Sequence, residues 1–358
     1  MTRINPGGTI GIMGGGQLGR MLALAAAQLG YKCHIYCPEE NSPAFQVADQ
    51  KTVAAYENEV ALTEFAQSVD VATYEFENVP SQTAAVVAAN TLLRPGAKAL
   101  AVSQDRLVEK QFLNEAGVET APYEAFHTAE DLQAAFKKIG RPSVAKTRRF
   151  GYDGKGQKLI KTQKDLEVVL DVTNNTPAIL EGFVPFDREI SVIVARSASG
   201  DVAAFPVGEN VHTNHILDTT DVPATVSDRV EAKAKVMATK VANALDYVGV
   251  VGVEMFVIDS TSQIIVNEIA PRVHNSGHWT MDGAVTSQFE QHIRAICDLP
   301  LGNTGALGTV RMKNLLGEDI LDLDGYFADP TASVHHYGKH DPRPGRKMGH
   351  VNWVKRQD

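Results

Sequence analysis

The chain has 358 residues, 44% of them hydrophobic, and a formal net charge of −9. That length suits roughly two or three packed domains, and the mixing of acidic and basic residues excludes the basic stripe of a nucleic-acid surface. Three cysteines without metal-site spacing, no signal-peptide pattern and no apolar run near the roughly 20 residues that span a bilayer point to a cytoplasmic protein with buried, reduced thiols.

Residues 9–13 form an apolar run that predicts a buried strand. A glycine turn follows, Gly14-Gly15-Gly16-Gln17-Leu18-Gly19, then an Ala- and Leu-rich helix over 20–29 stopped at Gly30. Strands are predicted at 32–36 and 71–74. The alternation predicts a parallel sheet with helices on both faces, in a domain over 1–104. A helix from about 104 to 117 carries Asp105, Arg106 and Lys110. From 122 to 184 the pattern becomes an α+β unit, with strands at 143–146, 158–160 and 178–181. Strands at 189–195 and 202–208, a helix over 228–245 and a hairpin over 250–269 complete a domain over 105–297. A smaller part, marked by Gly and Pro, covers 298–358.

Two glycine motifs suit a phosphate-bearing ligand. Gly14-x-Gly16-x-x-Gly19 follows a strand and opens a helix, where unpaired N–H groups attract anions. A nicotinamide dinucleotide, with Glu39 or Glu40 on its ribose, is one alternative; a tight turn with no ligand is another. The loop 151–157 exposes backbone N–H groups at Gly151, Gly154 and Gly156 and adds Lys155. Such a loop closes over polyphosphate, with Lys146 on the preceding strand as a second contact. The alternative is a solvated hairpin tip.

The sharpest physical signal lies in the hairpin. Val251, Val253, Met255 and Val257 alternate with Gly252, Glu254, Phe256 and Ile258. If the turn centres on Thr261, Glu254 and Glu268 are equidistant from it and face each other, with Cβ atoms roughly 4.5–5.5 Å apart. Two buried carboxylates repel and are costly to desolvate. A magnesium ion relieves both, taking one or two carboxylates and completing its shell with water and phosphate oxygens. The alternative leaves one Glu in solvent or paired with Arg272. Asn267 starts on the opposite face and is the weaker candidate ligand. His274 and His278 stand four apart, but Asn275-Ser276-Gly277 between them reads as a loop, which argues against a zinc pair.

With these residues in hand, the chain resembles the ATP-grasp superfamily, and within it the ATP-dependent carboxylases of bacterial and fungal purine synthesis. The markers are the glycine turn through Leu22, Thr73-Tyr74-Glu75-Phe76-Glu77-Asn78-Val79, the loop 150–157, Glu181-Gly182-Phe183-Val184, residues 267–278 and Arg346-Lys347-Met348-Gly349-His350. The resemblance implies a mixed α/β and α+β ATP-grasp fold. It has an N-terminal Rossmann-like (pre-ATP-grasp) domain, a two-lobed ATP-grasp domain with a mobile lobe over about 122–184, and a small C-terminal domain.

It also implies site residues. ATP would meet Arg106, Lys146, the loop residues Gly151, Tyr152, Asp153, Gly154, Lys155, Gly156 and Gln157, then Glu181, Gly182, Phe183, Val184, Glu189, His212 and Asn267. Glu254 and Glu268 would hold Mg2+. Aminoimidazole ribonucleotide would meet Gly16, Gln17, Leu18, Glu75, Asn275 and Ser276, with Lys339, Arg346 and Lys347 closing on its phosphate and reacting end. Arg272 and His274 would hold bicarbonate or carboxyphosphate, and Tyr152 or Asp153 would touch the amine. The implied reaction joins bicarbonate to the amine to give N5-carboxyaminoimidazole ribonucleotide, ADP and phosphate, in a homodimer with no nucleic-acid or membrane partner. The alternatives are a formate-using transformylase and a nucleotide-binding module without turnover.

Overall fold

Parallel pairing organises the first hundred residues. The computed structural model describes residues 3–151 and 154–356. Strands β1 (Thr9–Met13), β2 (Lys32–Cys37), β3 (Gln50–Val53), β4 (Val71–Tyr74) and β5 (Leu92–Leu93) form a parallel sheet in the order β3-β2-β1-β4-β5. Side chains alternate across it. Ile10 and Ile12 pack with Leu22 of the helix Gln17–Gln28, while Met13 packs on the other side with Phe65. That helix begins at Gln17, three residues earlier than expected, so Gly19 lies inside its first turn. Cys33, Cys37 and Cys297 are buried free thiols, as expected.

A second sheet orders β6 (Tyr123–Phe126), β7 (Ser143–Thr147), β8 (Gln157–Ile160) and β9 (Ala178–Gly182) as β6-β9-β7-β8. It has its own small core of Phe126, Leu132, Ala145 and Leu180. The helix Ala129–Ile139 covers it, started by a capping box between Thr128 and Asp131.

The third sheet has nine strands. β10 (Arg188–Arg196), β11 (Val202–Ala204), β12 (Gly208–Thr213), β13 (Ile216–Val222), β14 (Gly249–Ile258) and β15 (Gln263–Ala270) are extended by β16 (Gly308–Leu316), β17 (Ala332–His336) and β18 (Lys347–Arg356). The C-terminal strands therefore continue this sheet through the β13–β16 pair. The strand expected over 202–208 is broken before Gly208, at Phe205-Pro206-Val207, because proline has no N–H for the ladder. The helix Asp228–Ala244 packs Ala234, Ala238 and Val241 onto Val192, Val194 and Val253. The helix Gln288–Ile296 packs Phe289 and Ile293 into the cluster that holds Leu22. The first and third sheets thus share one core, while the second stands on its own. No helix among the described residues is long and apolar enough to cross a membrane.

Candidate active site

A cavity of about 850 Å3 opens where the three sheets meet. Its floor is the β14–β15 hairpin. Val144, Lys146 and Glu181 reach it from the second sheet, and Gln17, Leu18 and Glu75 from the first.

Glu254 lies directly opposite Glu268, as the alternation predicted. The route differs from the expected one. Ile258 pairs with Gln263 and Met255 with Val266, so the turn centres half a residue before Thr261. A regular ladder would then set Glu254 against Asn267. A β-bulge between Glu254 and Met255 makes Asn267 the extra residue and restores Glu268 to the facing position. The bulge also turns Asn267 into the cavity, correcting its assignment to the far face. Its Oδ1 is buried and has no hydrogen-bond partner.

The two carboxyls have different surroundings. Glu268 accepts from Arg106 Nη1 at 2.8 Å. Burial opposes its ionisation, but Arg106 prevails and holds it below the usual carboxylate range. Glu254 is pushed up by burial and by the charge of Glu268. Two facing carboxyls and an unsatisfied amide oxygen suit a hard, oxygen-seeking divalent cation. Among the described residues no group of three or more His, Cys, Asp or Glu is arranged as a metal cage. A cation held here would take its other ligands from water and phosphate. Arg272 does not pair with either carboxyl; its Nε donates to Glu77. Behind the pair, the buried Glu109 accepts from the Ile269 N–H at 2.7 Å and fixes β15.

His274 is pushed down to about 3, by burial first and then by Arg272, so the imidazole is neutral. Its Nδ1 lies 2.8 Å from Ser276 Oγ, which accepts from Ser191 Oγ at 2.7 Å. That chain, with the Ser276 N–H also directed at Nδ1, leaves the ring proton on Nε2, 3.3 Å from Glu254. Ser276 is buried and orients His274, so it does not face the cavity as expected. His278 is buried and shares a hydrogen bond with Gln288 through Nδ1.

Lys146 lies 3.0 Å from Glu181, and Lys110 lies 3.3 Å from it. Burial opposes the charge on Glu181, but the two lysines and Arg106 pull it down to about 2. This depressed carboxyl stabilises the fold at pH above the ordinary glutamate value of 4.5, and the contribution is lost as pH falls toward 2. Glu181→Gln is expected to cost about 3 kcal/mol at pH 7, with the gap to the parent closing between pH ~4.5 and ~2. Urea unfolding across that range reads it, and a pH-independent gap contradicts it.

The other expected residues divide by position. Gly151, Gly154, Lys155, Gln157, Gly182, Phe183, Val184, Glu189, His212, Asn275 and Lys347 line the cavity. Both amide atoms of Asn275 are buried without partners. Tyr152 and Asp153 lie outside the described residues. Gly16 is not on the wall: its N–H donates to Glu75, and Gly19 N–H donates to the same carboxylate at 2.7 Å. The glycine turn is therefore closed by a protein anion. A Cβ at Gly14 would stand 2.2 Å from Glu75 Cγ, which accounts for glycine there. Gly156, at φ +69°, packs against Thr147. Lys339 Nζ donates to the Lys347 carbonyl at 2.8 Å, and Arg346 Nη1 donates to the His340 carbonyl at 2.7 Å. Neither lines the cavity; both brace the turn that carries Lys347.

Sequence reasoning missed an aromatic wall. Phe186 and Phe256 stack with centroids 4.4 Å apart and planes 9° apart. Phe256 stands two residues from Glu254, on the same strand face, so the alternation held its signal. Phe186, Leu159 and Leu217 carried none.

Family models match three parts of the chain: the ribonucleotide synthetase preATP-grasp domain over 8–104, the ATP-grasp domain over 111–289 and the phosphoribosylaminoimidazole carboxylase C-terminal domain over 311–358. An N5-carboxyaminoimidazole ribonucleotide synthase of Brucella melitensis is 50% identical over 356 residues, covering 99% of this chain and 98% of that protein. The crystal structure of an N5-carboxyaminoimidazole ribonucleotide synthetase in complex with ADP matches with a TM-score of 0.96 at 45% identity, covering 99% of this chain and 94% of that one. The Aspergillus clavatus synthase, in complex with ADP and 5-aminoimidazole ribonucleotide, matches with a TM-score of 0.91 at 31% identity, covering 98% and 94%.

Proposed function

The chain belongs to the N5-carboxyaminoimidazole ribonucleotide synthases, an ATP-grasp ligase family, and from that premise we propose how its residues carry the reaction. The enzyme performs the ATP-dependent step of purine biosynthesis that makes N5-carboxyaminoimidazole ribonucleotide. A bicarbonate oxygen attacks the γ-phosphorus of ATP, the bond to the β-phosphate oxygen breaks, and ADP leaves. The amine of aminoimidazole ribonucleotide then bonds to the carboxyphosphate carbon, phosphate departs, and the amine loses a proton. Positioning and charge neutralisation do most of the work.

Adenine sits against Phe256 and Phe186, with Glu181–Val184 along its edge and Glu189 with His212 at the ribose. Lys146, Arg106 and the glycine loop hold the phosphates. Glu254, Glu268 and Asn267 would hold Mg2+, which would neutralise phosphate charge there. Arg272 and the Nε2–H of His274 hold the bicarbonate-derived group, and Asn275 offers its unpaired amide beside them. Gln17, Leu18, Glu75 and Lys347 face the ribonucleotide. The observation that carries this reading is the Glu254–Glu268 pair in a cavity that also receives Arg272, His274 and the first domain.

ADP release with aminoimidazole ribonucleotide, with and without bicarbonate, tests it; release driven by formate instead would move the chain to the transformylases. Phe256→Ala is expected to raise the KM for ATP about fivefold to 150-fold, since stacking of a base on an aromatic ring contributes about 1–3 kcal/mol. The KM for the ribonucleotide should stay put, and an equal rise in both would move adenine elsewhere. The reading extends to a cytoplasmic homodimer, supported by the family resemblance; light scattering in solution should return about twice the chain mass.

A further inference from the structure

Glu77 has no role in the assignments above, yet it makes a contact that spans the molecule. It lies just beyond β4 in the first domain, and its carboxylate accepts from Nε of Arg272, 195 residues later, at the end of β15. Both side chains line the cavity. Arg272 Nη1 donates to the Val273 carbonyl at 3.2 Å. With Nε and Nη1 so engaged, the Nη2 edge is the part of the guanidinium left for a ligand.

The backbone that carries this carboxylate is itself held in place. The Glu77 carbonyl accepts from Gln104 Nε2 at 2.8 Å, and the same amide donates to the Val79 carbonyl at 2.7 Å. Gln104 Oε1 accepts from Arg149 Nη2 at 2.9 Å. Burial disfavours the charge on Glu77, but Arg272 outweighs it and draws the carboxyl down to about 2, so the pair is ionised at neutral pH. A planar guanidinium gripped on one edge has a fixed orientation on the other.

We propose that Glu77 is a positioning residue for carboxylation: it turns Arg272 so that the remaining guanidinium edge faces the bicarbonate-derived group, making the ribonucleotide domain part of that site. The proposal rests on the reading of function given above. An ion pair that merely ties two domains together would disturb all substrates alike. A positioning pair disturbs one.

The test is steady-state kinetics of Glu77→Gln, a neutral side chain of the same shape. The apparent KM for bicarbonate should rise about tenfold, while those for ATP and the ribonucleotide stay within about twofold. In the double variant with Arg272→Ala, the added Glu77→Gln change should alter the bicarbonate response by less than about twofold, because Glu77 acts only through Arg272. If Glu77→Gln does not fold, Glu77→Asp keeps the charge, shortens the reach by one methylene and carries the same test. An unchanged bicarbonate KM, an equal rise for all three substrates, or multiplying effects in the double variant overturns the proposal. A parent enzyme without bicarbonate-dependent ADP release would instead overturn the reading of function, whatever Glu77 does.

Discussion

Glu268→Gln is expected to lower turnover about a thousandfold, roughly 4 kcal/mol of transition-state stabilisation, while leaving the fold intact. The glutamine keeps the shape and removes the charge. Glu268 is one of two facing carboxyls at the cavity floor, and removing one preorganised charge from a phosphoryl-transfer site commonly costs about 10^2–10^3 in rate. Its partner Arg106 loses a pair in which Glu268 is 39% exposed, so little stability goes with it. Glu254 should then ionise more readily, since a repelling neighbour has gone. ADP release with saturating magnesium, alongside a thermal melt, checks both halves. Activity within a few-fold of the parent would remove Glu268 from the cation site.

Arg272→Ala should cut kcat/KM for bicarbonate by about 10^2–10^3. It removes the guanidinium from the cavity wall and leaves Glu77 without its charged partner. The second effect should cost about 1–3 kcal/mol of stability. Bicarbonate titration at saturating ATP and ribonucleotide separates the two, since lost stability alone does not change KM. A bicarbonate response like that of the parent would free Arg272 of this role.

Much of the site was legible because its signals are local. The period of two in β14 placed Glu254 and Phe256 on one face. The glycine loop and the motif after β15 both supply residues to the cavity wall. Other features had no local signal. The polar stretch that forms β13 alternates poorly because several of its residues on both faces are only half buried, and it was not predicted as a strand. Glu75 capping the glycine turn joins residues 59 and 56 positions apart, and no spacing rule connects them.

What the amino-acid order determined by itself was many of the elements, the parallel layering of the first hundred residues and the chemistry on offer, because periodicity, turn residues and motif spacing act over a few neighbouring residues. Tertiary structure alone decided which groups meet. The bulge at Asn267 put that amide beside the two carboxyls, the Ser191–Ser276 chain set the proton on His274, and Glu77 gripped Arg272 across two sheets. The last two depend on the relative placement of segments far apart in the chain.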